Sequence, residues 1–107
     1  MIKNLLKRIG IGLSPEEKNK RRLKAMLEEM LKLTKKRDLK GVKEIHQSFQ
    51  HLIKDVFGKL EGGRKITQEE MNYDLARNNI INSFSDGFSE EQRQERLEEA
   101  QQYIDLL

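Results

Sequence analysis

The sequence has no cysteine, no tryptophan and a single proline in 107 residues. Lack of cysteine excludes a disulfide framework, a thiolate metal site and a cysteine nucleophile, and makes a reducing, cytoplasmic setting the expectation. No apolar run approaches the roughly 20 residues that a bilayer-spanning helix needs. The first residues lack the apolar core and small-residue cleavage site of a secretory signal. Hydrophobic residues are 36% of the chain and charged residues another 36%, so the core must be a narrow stripe on each element. Aromatics are scarce and β-branched runs are missing, which argues against strands. Lys, Glu, Leu and Gln dominate, and these are good helix formers.

Three cap signatures divide the chain. Ser14-Pro15-Glu16-Glu17, Thr67-Gln68-Glu69-Glu70 and Ser89-Glu90-Glu91-Gln92 each place a hydroxyl three residues before Glu or Gln, the pattern of a capping box. Phe88 stands before the last of them as a hydrophobic staple. Pro15 suits the first helical position. The first long helix is predicted over 15–36 with an apolar stripe of Leu23, Met26, Leu27, Met30, Leu31 and Thr34; its polar first turns are expected to project from the core. Asp38 reads as the next N-cap, and so short a link requires an antiparallel neighbour. Val42, Ile45, Phe49, Leu52, Val56 and Leu60 then keep a near-heptad spacing. Gly41 interrupts this helix where a close approach by a neighbour would call for it. After a Gly-rich loop come a helix carrying Met71, Leu75, Ile80, Ile81 and Phe84, ended by Gly87, and a last helix carrying Leu97, Ala100, Ile104 and Leu107.

The expected fold is all-α: an antiparallel four-helix bundle built from two helical hairpins, with a short N-terminal amphipathic helix. It forms one domain in four parts. Residues 1–13 are the amphipathic segment, 14–60 a basic hairpin, 61–66 a loop and 67–107 an acidic hairpin. Charge sorts with these parts: residues 1–66 hold 18 Lys/Arg against 8 Asp/Glu, and residues 67–107 hold 3 against 10. Such sorting predicts a molecule with a basic and an acidic side.

No set of residues points to catalysis. His46 and His51 are five apart and do not share a helical face; His51 with Asp55 supplies two metal ligands at most, where zinc needs three or four. The paired glutamates diverge by about 100° on a helix, and several lie in first turns, where the helix dipole favours them. Gly62-Gly63-Arg64-Lys65 lacks the Walker spacing and a preceding strand. Neither a cofactor nor a metal is expected, nor an enzyme.

Three surfaces invite contact. Lys18, Arg21 and Arg22, with Lys35, Lys36 and Arg37, form two basic clusters able to meet a partner or a polyanion, although no aromatic residue interleaves with them as a stacking platform. Ile2, Leu5, Leu6 and Ile9 give the N-terminal segment an apolar stripe, fitting either a lid on the bundle or weak peripheral membrane contact. Tyr73 and Tyr103 are candidate interface aromatics. In size, charge and helical layout the chain resembles the small cytoplasmic immunity proteins that accompany some bacteriocins, and several phage-encoded regulators. That likeness is one of architecture, which hosts many functions. The function expected is non-enzymatic binding of another protein, as an adaptor, inhibitor or immunity/regulatory factor. Nucleic-acid binding by the basic hairpin, peripheral membrane attachment and homo-oligomerisation are the alternatives.

Overall fold

Each cap signature starts a helix. The computed structural model describes residues 14–58, 65–85 and 87–107; the N-terminal segment with Ile2, Leu5, Leu6 and Ile9, Leu60, and the stretch Gly62-Gly63-Arg64 expected as a loop lie outside the described residues. Helix α1 spans Pro15–Lys35, α2 Leu39–Phe57, α3 Gln68–Asn82 and α4 Glu90–Asp105. The Glu17 amide donates to Ser14 Oγ at 3.1 Å, the Glu70 amide to Thr67 Oγ1 at 3.1 Å, and the Gly41 amide to Asp38 Oδ1 at 3.0 Å. Ser89 and Gln92 close the full reciprocal box. These bonds satisfy amides that a helix start would otherwise leave open.

Helix ends differ from expectation in two places. α2 stops at Phe57, ahead of the predicted Leu60, because Gly58 takes φ +82°, a left-handed conformation that glycine adopts without steric cost. α3 stops at Asn82, well before Gly87. There Phe84 and Ser85 donate to the carbonyls of Ile81 and Asn82, tightening the chain into i→i+3 turns.

The architecture is an all-α four-helix bundle in which α1 with α2, and α3 with α4, pack as hairpins. α1 is the shared wall and packs against all three other helices. Leu23, Leu27, Met30 and Leu31 of α1 meet Val42 and Phe49 of α2, Tyr73, Ala76 and Ile80 of α3, and Leu97, Ala100 and Ile104 of α4 in one buried cluster. Burying a side chain of this size is worth about 1.5–3 kcal/mol, so this cluster, rather than surface charge, holds the hairpins together.

The buried face of α3 differs from the predicted stripe. Met71 is exposed, while Tyr73, Ala76 and Ile80 face inward together with Asn72, Asn79 and Ser83. Burial of these polar groups is tolerated because they are bonded within the helix. Asn79 Nδ2 donates to the Leu75 carbonyl at 2.9 Å, Ser83 Oγ to the Ile80 carbonyl at 2.6 Å, and Gln68 Nε2 to Asn72 Oδ1 at 2.9 Å.

The close approach at Gly41 is present. A Cβ there would stand 2.7 Å from Asp38 Oδ2 and 3.0 Å from Leu33 Cδ1 of α1. Replacing an exposed helical glycine by alanine ordinarily stabilises by about 1 kcal/mol. Here Gly41→Ala is expected to lower the urea midpoint, because the methyl displaces the carboxylate that caps α2. In an Asp38→Ala background, where that cap is already lost at a cost of about 1 kcal/mol, the same substitution should cost clearly less.

Candidate interaction surface

The buried stripe of α1 decides what its opposite face can present. Successive residues turn by about 100°, so burying Leu23, Leu27, Met30 and Thr34 sends Lys18, Arg21, Arg22, Glu28, Glu29, Lys32, Lys35 and Lys36 to solvent, and all eight are exposed. The two predicted basic clusters therefore share one helix face, about 20 Å apart along the axis. Glu28 and Glu29 stand between them. Among the described residues, none of Lys18, Arg21, Arg22, Lys35 and Lys36 forms an ion pair. Glu91, Glu95, Glu98 and Glu99 are exposed on α4, with Arg96 held to Glu99 at 3.4 Å. Cations thus predominate on the outer face of α1 and carboxylates on that of α4, although each helix also carries charges of the other sign, among them Glu28 and Glu29 on α1 and Arg96 on α4.

Two cations of the basic hairpin are spent on cohesion. At the N-terminal end of α1, Lys20 Nζ lies 2.7 Å from Glu69 of α3 and 3.5 Å from Glu16. It also sits 5.5 Å from the centre of the Phe57 ring. The polar start of α1 is therefore docked through Lys20 rather than projecting freely. The hydrogen bond that Lys20 donates to Glu69 raises the Lys20 pKa against the opposing effect of burial, with the charges of Glu69 and Glu16 adding to it. At the other end, Arg37 Nη2 donates to Glu90 Oε2 at 2.8 Å, at the first turn of α4. That bond and the guanidinium charge hold the Glu90 carboxyl below its ordinary range. Exposed pairs contribute little to stability, and these two act by fixing how the hairpins align.

Arg37 carries a second constraint. Its φ is +61°. Its amide donates to the Thr34 carbonyl and the next amide, Asp38, to the Leu33 carbonyl, both at 2.9 Å. This is the Schellman arrangement that closes a helix, with arginine where glycine usually stands.

The two candidate aromatics separate. Tyr73 is buried: its hydroxyl donates to the Lys20 carbonyl at 3.2 Å and its ring packs on Phe57 at 5.7 Å between centres. It is part of the core rather than an exposed anchor, and burial raises its pKa. Tyr103 is half-buried at the edge of the cluster. Phe88, placed as a staple, carries Arg96 5.8 Å from its ring centre.

His46 is half-buried on α2, and its Nε2 has no hydrogen-bond partner. Desolvation, and then the charge of Arg77, lower its pKa. Among the described residues there is no group of three His, Cys, Asp or Glu side chains able to hold a metal ion, and no helix is long and apolar enough to cross a membrane.

Depressions flank α1 on more than one side. One, of about 490 Å³, lies between the N-terminal ends of α1 and α3 and the C-terminal end of α4, and includes Arg21, Lys24, Asn72 and Leu107. Another, of about 570 Å³, runs along the outer side of the first hairpin and is lined by Arg22, Ala25, Met26, Glu29, Glu44, Ile45 and Ser48. Sequence reasoning assigned Met26 and Ile45 to the core and so missed this groove. Comparison with family models, with curated proteins and with solved structures gives no match.

Two outcomes follow from these placements. A left-handed backbone costs a non-glycine residue about 1–2 kcal/mol. Arg37→Gly is therefore expected to leave the urea midpoint unchanged or raised, whereas Arg37→Ala, which keeps the strain and loses the bond to Glu90, should lower it. For His46 the folded pKa lies below the ordinary value of 6.5, so the unfolded chain takes up the proton first on acidification. Stability should hold above about pH 6.5 and fall as pH drops through the lowered folded pKa. His46→Leu should show a smaller loss between pH 7 and pH 5 in urea titrations.

Proposed function

We propose that this protein is a non-enzymatic helical binding protein, a cytoplasmic adaptor, inhibitor or immunity/regulatory factor, that engages another protein through a charge-polarised surface. The observation carrying this reading is the banding of α1's solvent face: unpaired cations at both ends with Glu28 and Glu29 between them. A nucleic-acid backbone is uniformly negative and rewards an unbroken run of cations. A carboxylate pair in the centre repels it. A folded protein can alternate the sign of its surface over the same distance, and complementary bands of that kind set register and speed association. The apolar groove beside the bands offers the burial that charge alone does not supply. The absence of cysteine supports the cytoplasmic part of the reading.

The test is affinity capture from the native cell, with and without nuclease, alongside a low-salt titration with nucleic acid. A captured protein should survive nuclease treatment. Reversing Lys18, Arg21, Arg22, Lys35 and Lys36 to Glu should abolish its capture while far-UV circular dichroism stays helical. A nucleic-acid shift that falls steeply as salt rises would replace this reading with the polyanion one.

A further inference from the structure

The first hairpin has two sides, and among the described residues only one is covered. Phe57 on α2 turns toward the second hairpin, as the Phe57–Tyr73 contact fixes, and Leu31 on α1 belongs to the buried cluster. Met26 and Leu33 on α1, with Ile45 and Leu52 on α2, are only half-buried. Helical rotation of about 100° per residue places these four along the opposite seam; Met26 and Ile45 line the outer groove there, and Leu33 and Leu52 extend the seam beyond it. Met26 and Leu33 are seven residues apart, as are Ile45 and Leu52. Two heptad-spaced apolar pairs on antiparallel helices make a row of holes that a third helix fills with its own apolar side chains.

The rim of the seam carries charge in a defined order. Glu29 from α1 and Glu44 from α2 face the middle of the groove from both sides. Toward the start of α1 the rim has Arg22 and Lys18, with Asp55 of α2 offsetting part of that charge. Toward its end it has Lys32, Lys36 and Lys40, all exposed. The span from Lys18 to Lys36 is about 27 Å, or five helical turns.

We propose that this seam is a docking groove for an amphipathic helix of a partner protein, of about 18 residues, acidic at both ends and basic in its middle turns. This rests on the reading of the protein as a protein-binding factor and names the chemistry of its partner. The charge order also argues against a second copy of this chain. A two-fold arrangement of two such seams sets glutamate against glutamate and lysine against lysine, which costs affinity. Because the order is the same from either end, charge fixes the register of the bound helix and leaves its direction to the apolar contacts.

The test uses the full chain and two synthetic helical peptides of about 18 residues with one shared composition. Both carry leucine at alternating three- and four-residue spacing. The matched peptide has Glu in its end turns and Lys in its middle turns, and the inverted peptide has the reverse. In fluorescence anisotropy at roughly 50 mM salt, the matched peptide should bind about tenfold tighter than the inverted one. A Glu29→Lys/Glu44→Lys variant, changed only at the rim, should reverse that preference. Ile45→Ser/Leu52→Ser should weaken both peptides about tenfold with an unchanged circular dichroism spectrum. Equal affinity for the two peptides, or an unchanged preference in the rim variant, overturns the proposal. So does a gain of about tenfold in matched-peptide affinity on Leu5→Asp/Leu6→Asp, since the chain's own N-terminal segment would then be the occupant. A cellular partner still captured by the rim variant, with neither peptide binding, would sink this groove while leaving the protein-binding reading intact.

Discussion

One stripe of one helix constrains the rest of the molecule. Leu23, Leu27, Met30, Leu31 and Thr34 of α1 are buried against the three other helices, and α2 and the α3–α4 pair have no comparable contact with each other. In a chain whose apolar share is low, the core has to be concentrated somewhere. Concentrating it on α1 means that each other helix needs only a partial stripe. It also means that the orientation of α1 is fixed, and with it the direction of every charge on its outer face.

The separation of charge along the sequence is used twice. Lys20 and Arg37 leave the basic hairpin to meet Glu69 and Glu90 of the acidic one, one contact near each end of α1. Their contribution to stability is small, but two charged contacts far apart specify a single alignment of two otherwise similar hairpins. The remaining cations on α1 are left unpaired and banded. Folding uses part of the uneven charge, and the proposed partner contact would use the part left on the outer face of α1, the division being set by which residues reach the other hairpin. Arg37 adds a left-handed backbone at the α1–α2 turn, a strain that is accepted where the contact with Glu90 is made.

Much of the fold was legible in the sequence because its punctuation is local. Ser14, Asp38, Thr67 and Ser89 cap helices through bonds to residues three positions on, so no knowledge of the rest of the fold is needed to place them. The stripes of α1 and α4 were equally plain, since leucine, methionine and isoleucine recur at helical spacing. α3 was misread because its buried face holds Asn72, Asn79 and Ser83, which periodicity scores as surface. Only their bonds within the helix make the burial tolerable, and such bonds carry no apolar signal. The end of α2 was missed for another reason: the apolar spacing steps from Val56 to Leu60 across Gly58, and the pattern outweighed the glycine. At the candidate surface, the clusters at Lys18–Arg22 and Lys35–Arg37 were visible, whereas the acidic band that Glu28 and Glu29 set between them emerges only with the helix face. The burial of Tyr73, the docking of Lys20 and the uncovered seam at Met26 and Ile45 depend on which helix meets which. Heptad spacing says that a face wants a partner, but not whether the chain supplies one.

If α1 is the common wall, its loss must be the last event in unfolding, and α2, which packs chiefly on α1, should be able to open first. Native-state hydrogen exchange across a range of sub-denaturing urea concentrations measures this directly. The expected result is that amides of α1 between Leu23 and Leu31 open only with the whole molecule, together with those around Ile80 and Ala100, while α2 opens at lower free energy. Opening of α1 before α3 and α4, or of the two hairpins as independent units with α1 following α2, would contradict the arrangement described here.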